Sequence, residues 1–209
     1  MPVKRDVILF LAVALVLHPF FVLAAESDEV NDAERCEMPV RIATEYLYPV
    51  EDSRNITTVN LNAYIRLKTI ETVNLSILAG LTATYADGDI TQLEGDFNEG
   101  TLRESNYENE AAGLGPGILL DLRLWHVSKF SLHLDGSGSI ILYDQDFPAG
   151  GDRYNFMWRG GPILRYDLGN GRDIGLGYLW MHVSNGQGIG PNNPSYDAQG
   201  VSLQYSIIF

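Results

Sequence analysis

Apolar side chains recur at every second position along most of this chain. In 56–68, Thr57, Val59, Leu61, Ala63, Ile65 and Leu67 alternate with Asn60, Asn62, Tyr64, Arg66 and Lys68. The same period runs through 72–85, 111–124, 129–143, 155–168, 173–184 and 197–209, and more weakly through 41–48. Successive side chains of an extended strand point to opposite faces, so a period of two predicts strands with one apolar and one polar face. No helical period competes. Most of the eight segments are longer than the five or six residues usual in globular sheets, and they match the length of a tilted strand crossing a bilayer.

The polar faces decide between two all-β readings. They carry Arg66, Lys68, Asp121, Arg123, Asp135, Arg159, Arg165 and Asp167. In a soluble sandwich these would face water; in a narrow membrane barrel they would pair across the lumen. Local pattern allows both. An even strand count, an export leader and an aromatic last residue, Phe209, favour an eight-stranded antiparallel transmembrane β-barrel of the outer membrane. Connections alternate in length: 69–71, 125–128 and 169–172 are short, whereas 49–55, 86–110, 144–154 and 185–196 are longer. Gly169-Asn170-Gly171 is strong hairpin chemistry. Short turns face the periplasm in such barrels, which puts the long connections outside.

Residues 1–24 read as a secretory signal, with Lys4 and Arg5 ahead of an apolar run and Val22-Leu23-Ala24 as the cleavage site. Residues 25–40 then form a periplasmic tail and 41–209 the barrel. The formal net charge of −13 argues against nucleic acid or an anionic surface as an electrostatically driven partner. Cys36 is the single cysteine, so no internal disulfide can form. Asp87-Gly88-Asp89 lacks the further ligands of a calcium loop. His126, in a short turn, and His133, on the lumen face, have no partners comparable to those of His182.

The chemistry gathers near the C-terminus. Ile174, Leu176, Tyr178, Trp180, His182 and Ser184 share the apolar face of one strand, and Asp197, Val201, Leu203, Tyr205, Ile207 and Phe209 that of the next. His182 and Ser184 therefore emerge on one side, roughly 7 Å apart at the backbone. A serine is a poor nucleophile until a base takes its proton. His182 can do so, and Asp197 can orient the imidazole from the adjacent strand. Asn193, or backbone N–H groups of the Gly186–Gly188 turn, would serve the developing oxyanion. Polar groups are costly on a face turned to lipid. Three complementary ones there suit a hydrolase for a lipid.

The segment Trp180-Met-His-Val-Ser-Asn-Gly, followed by Asn193-Pro-Ser-Tyr-Asp-Ala-Gln-Gly and a terminal strand, resembles the signature of the PagL-type lipid A 3-O-deacylases. The resemblance covers roughly the last 30 residues. It implies an eight-stranded outer-membrane barrel with His182 as base, Ser184 as nucleophile and Asp197 as orienting acid. Asn193 matches the oxyanion-hole asparagine and Asn185 the neighbour of the serine; either Gln187 or Gly188 matches the glycine whose N–H completes the hole. The implied substrate is lipid A, as part of lipopolysaccharide, with no metal or organic cofactor. The chain departs from the pattern with Asp in place of Glu, Gly186 in place of Ala, and a loop one residue longer. Two other readings stay open: a non-catalytic structural or adhesive barrel with a vestigial triad, and a soluble periplasmic lipid-binding barrel.

Overall fold

The computed structural model describes residues 39–94, 103–185 and 194–208. Eight strands pair in sequence order and close on themselves: β1 (Pro39–Pro49), β2 (Arg54–Ile70), β3 (Leu75–Glu94), β4 (Arg103–Val127), β5 (Phe130–Tyr143), β6 (Tyr154–Gly169), β7 (Arg172–Ser184) and β8 (Tyr196–Ile208). Every neighbour is antiparallel. The seam pairs β1 with β8 from Pro39↔Ile208 to Pro49↔Ala198. The proposed leader and tail, and Phe209, lie outside the described residues.

The surface is inverted relative to a soluble protein. Tyr46, Leu67, Leu81, Leu114, Leu142, Leu164, Leu176 and Leu203, one from each strand, are all exposed, while Arg41, Glu45, Asp121, Asp135, Arg159 and Arg165 are buried. A continuous apolar exterior of this extent suits hydrocarbon, not water. The chain is a membrane-spanning barrel of the outer-membrane type. A soluble sandwich or a soluble lipid carrier would need its apolar faces inside.

The lumen is solid and layered. At its centre the Arg159 guanidinium meets Glu45 Oε2 at 2.8 Å and Asn62 Oδ1 at 2.7 Å. Its second amino group donates to Tyr64 Oη at 3.1 Å, Thr82 Oγ1 at 3.1 Å and Ser139 Oγ at 3.2 Å. Toward the short turns, Arg41 Nη2 lies 2.6 Å from Asp121 Oδ2. Arg165 pairs there with Asp135 at 3.3 Å and Asp173 at 3.2 Å. Toward the long connections the lumen is instead apolar, packed with Leu47, Ile56, Ile141, Tyr143, Met157, Met181, Val183 and Tyr196. Phe147, from the connection after β5, inserts its ring 4.6 Å from that of Tyr143 and 5.8 Å from that of Tyr196. Alternation alone predicts a polar lumen throughout; apolar residues on the inward face of β1, β2, β5, β6, β7 and β8 near the long connections produce this plug.

Three other expectations are corrected. Residues 86–110 are not simply a loop: β3 and β4 remain paired from Asp87↔Glu110 to Glu94↔Arg103. Their backbone hydrogen bonds continue past the last β4–β5 pair, Gly113↔Tyr143, through side chains too polar on both faces to show a period. Residues 72–73 belong to a short 3-10 turn, Glu71–Val73, ended by Asn74 at φ 53°, and β3 starts at Leu75. Lys68 and Arg123 are exposed rather than paired across the lumen, because register shifts at Arg66/Lys68 and Arg123/Trp125 break the alternation near the short turns. The 169–171 turn is as its sequence demands, with Gly169, Asn170 and Gly171 all at positive φ.

Two outcomes are expected. Glu45→Ala removes the carboxylate that meets buried Arg159 and should cost about 3–5 kcal/mol; Glu45→Gln, which keeps an acceptor for Arg159, should cost less. Urea titration of the barrel in liposomes measures both, and equal stability of Glu45→Ala and wild type would contradict this role. In a Cys36→Ala background, Glu51→Cys should react with an impermeant maleimide on intact cells, and Lys129→Cys only after the outer membrane is opened. The reverse pattern would invert the orientation.

Candidate active site

Trp158 on β6, His182 on β7 and Asp197 on β8 form one row across three strands, since Trp158↔His182 and His182↔Asp197 are direct register partners. All three point outward. Their parity neighbours show why: Trp180, Val201 and Leu203 face lipid, while Met181, Val183 and Ala198 fill the lumen. His182 Nδ1 and Asp197 Oδ1 are 2.8 Å apart. The side chains are 27% and 45% exposed, so the pair sits in the wall rather than beneath it. A carboxylate accepting from Nδ1–H leaves Nε2 as the acceptor nitrogen. The backbone of Asp197 is held as well, its carbonyl accepting from Val50 N–H at 3.1 Å.

Trp158 was not singled out by sequence reasoning as part of this site. Its ring lies over the imidazole at 5.8 Å between centroids and 30° between planes. The imidazole is thus fixed by Asp197 on one side and by an aromatic face on the other. Trp158 could have been found from the register of β6 against β7, which the sequence does not print.

Ser184 is the last residue of β7, opposite Phe156 of β6. It is half-buried and shares the face of His182. Among the described residues no hydrogen bond joins Ser184 to His182. Asn185 is 1% exposed and turns to the connection after β5, donating to Asp152 Oδ2 at 3.2 Å. That connection also approaches the chain just before β8: a Cβ on Gly151 would lie 3.0 Å from Pro194 Cγ. Gln187, Gly188 and Asn193 lie outside the described residues.

A groove of about 630 Å³ indents the exterior beside this row, between Trp158 and Trp180 above and Leu120, Leu122 and Leu134 below. Its floor is made by glycines on the outward parity. A Cβ at Gly136 would meet nothing within 4 Å, and one at Gly160 only Asp135 O at 3.4 Å. Outward glycines in otherwise apolar rows were the available sequence signal for a depression in the wall. On the far side of Trp180, Tyr178 meets it edge-on at 5.5 Å and shares a 2.6 Å hydrogen bond with Tyr48.

His133 is the clear correction among the chemical candidates. It is not without partners: Nδ1 lies 2.5 Å from Asp121 Oδ1, and Nε2 lies 2.9 Å from Ser131 Oγ.

No protein-family model matches the chain, and no curated protein matches it by sequence. Among solved structures it is similar to the outer-membrane enzyme PagL, at 15% identity over 80% of this chain and 98% of that one, with a TM-score of 0.48. It is similar to Neisserial surface protein A at 13% identity, over 83% of this chain and 96% of that one, also at a TM-score of 0.48. Similarity to Ail of Yersinia pestis covers 83% of this chain and 99% of that one, at 13% identity and a TM-score of 0.32. Likeness at this level is spread over several barrels, so it does not assign an activity.

Proposed function

We propose that the protein is an outer-membrane serine esterase that removes an ester-linked acyl chain from lipid A, at the 3-position. The observation that carries this reading is the His182–Asp197 pair at 2.8 Å on the lipid-facing wall, with Ser184 on the same face two positions along β7. The C-terminal sequence resemblance supplies lipid A and the 3-position. The glycine-floored groove supports a lipid substrate, since an acyl chain can lie in it while the ester reaches His182 and Ser184 without leaving the membrane.

In this reading Ser184 Oγ attacks the ester carbonyl as His182 Nε2 takes its proton, and Asp197 stabilises the imidazolium. Collapse of the tetrahedral intermediate breaks the bond to the sugar oxygen, which receives that proton from His182. Water, deprotonated by the same nitrogen, then releases the acyl group from Ser184 as a fatty acid. Asn193, with a backbone N–H of Gln187 or Gly188, serves the oxyanion; Asn185 positions the connection beside the serine. A second reading, a non-catalytic barrel with a vestigial triad, has one observation in its favour: Ser184 and His182 are not hydrogen-bonded.

Mass spectrometry of lipid A from cells with and without the protein tests the proposal. Ser184→Ala and His182→Ala should each keep the heat-modifiable mobility of a folded barrel and lose at least about a thousandfold in acyl release, because nucleophile and base act as a unit. Asp197→Asn should retain more activity, as an orienting group acts only through the base. Wild-type release from Ser184→Ala would end the case for serine catalysis on this wall.

A further inference from the structure

The barrel holds a second serine–histidine–aspartate relay, inside the lumen mouth at the short-turn end. Ser131 and His133 are two apart on the inward face of β5, and Asp121 lies inward on β4. Their contacts form an unbroken chain: Ser131 Oγ to His133 Nε2 at 2.9 Å, then His133 Nδ1 to Asp121 Oδ1 at 2.5 Å. Asp121 uses its other oxygen for Arg41 at 2.6 Å, which leaves Oδ1 to face the imidazole. An acceptor there places the histidine proton on Nδ1 and leaves Nε2 to receive the serine proton.

This relay is not sealed within the network. All three residues line an open cavity of about 360 Å³ at the barrel mouth, and His133 is 12% exposed. The cavity wall also contains Arg66, Arg123 and Arg172. Arg66 differs from Arg41, Arg159 and Arg165 deeper in the lumen, each of which meets a carboxylate: no carboxylate lies within 4 Å of it among the described residues, and its Nε, like those of Arg159 and Arg165, is buried with no hydrogen-bond partner. A part-buried guanidinium with no carboxylate partner, open to the cavity, favours an anion from solution.

We propose that this mouth is a second hydrolytic site, acting on small water-soluble esters that carry an anionic group and enter from the short-turn side. Ser131 Oγ bonds to the ester carbonyl carbon while His133 Nε2 takes the hydroxyl proton. The bond to the leaving alcohol then breaks, and that alcohol departs with the proton. Water attacks the acyl-serine, giving its proton to His133, and the acid leaves as Ser131 is restored. Arg66 holds the anionic group.

The test uses the full-length protein in detergent, with Ser184→Ala silencing the lipid-facing wall so that the two sites are read separately. A small fluorophosphonate should label this folded protein, with the adduct mapped by mass spectrometry to Ser131. Hydrolysis of the mono-p-nitrophenyl ester of succinate should fall at least tenfold in Ser131→Ala and in His133→Gln. Arg66→Met should raise KM for that ester at least tenfold, and an unchanged KM in the folded variant would remove Arg66 from the site. Absence of a Ser131 adduct on the folded Ser184→Ala barrel overturns the proposal, and it does so without a variant in the mouth. Undiminished ester hydrolysis in folded Ser131→Ala overturns it as well.

Discussion

Hydrocarbon offers no partner to an unpaired backbone N–H or C=O, and this one constraint organises the molecule. Strands that cross the bilayer must pair on both sides, so the sheet closes through the β1–β8 seam. Closure with eight strands leaves a lumen only as wide as the side chains that fill it. The alternation of every strand then becomes a sorting rule, since each residue faces either lipid or the packed interior. His182 and Asp197 obey the rule by position and violate it by chemistry. They sit on lipid-facing parity in rows otherwise occupied by Trp180, Val201 and Leu203.

The interior solves the opposite problem. The six ionic side chains buried among the described residues cannot be left without partners in a medium of low dielectric, where an unpaired charge is far costlier than a paired one. Arg159 is consequently surrounded by five acceptors, and Arg41 and Arg165 share Asp121 and Asp135, with Arg165 also reaching Asp173. The apolar plug above them closes the lumen toward the long connections, with Phe147 as its last piece. A barrel filled this way is a rigid support, not a channel. Its two ends are chemically different: one is greasy and capped, and the other is polar and open to solvent at the mouth.

Much of this was legible as period two. Thr57 to Leu67 and Ile174 to Ser184 could be assigned to faces directly, and the Gly169-Asn170-Gly171 turn carried its own conformation. What the period hides is whatever does not alternate. Leu179, Met181 and Val183 are as apolar as their outward neighbours, so the plug reads as noise on the polar face. The paired extension of β3 and β4 is polar on both faces and reads as a loop. Register was illegible too, and register determines partners. It places Trp158 beside His182. The β4–β5 pairing, with its shift at Arg123/Trp125, brings Asp121 within reach of a histidine that appeared isolated in the sequence.

The two histidines show how environment separates similar sequences. Each stands two residues from a serine on one face of a strand, and each is held through Nδ1 by an aspartate from a neighbouring strand. On β5 the pair lies in a narrow lumen, where surrounding side chains hold rotamers closely and the serine–histidine bond is formed. On β7 the pair lies in the wall, where Trp158 and Asp197 confine the imidazole and Ser184 ends the strand. Catalytic hydrogen bonds that are loose in a free enzyme commonly tighten around bound substrate. A lipid in the groove beside Trp158 would come to lie next to the imidazole. In the proposed reading the wall site would be completed by its ligand, whereas the serine–histidine–aspartate contacts at the mouth are formed without one.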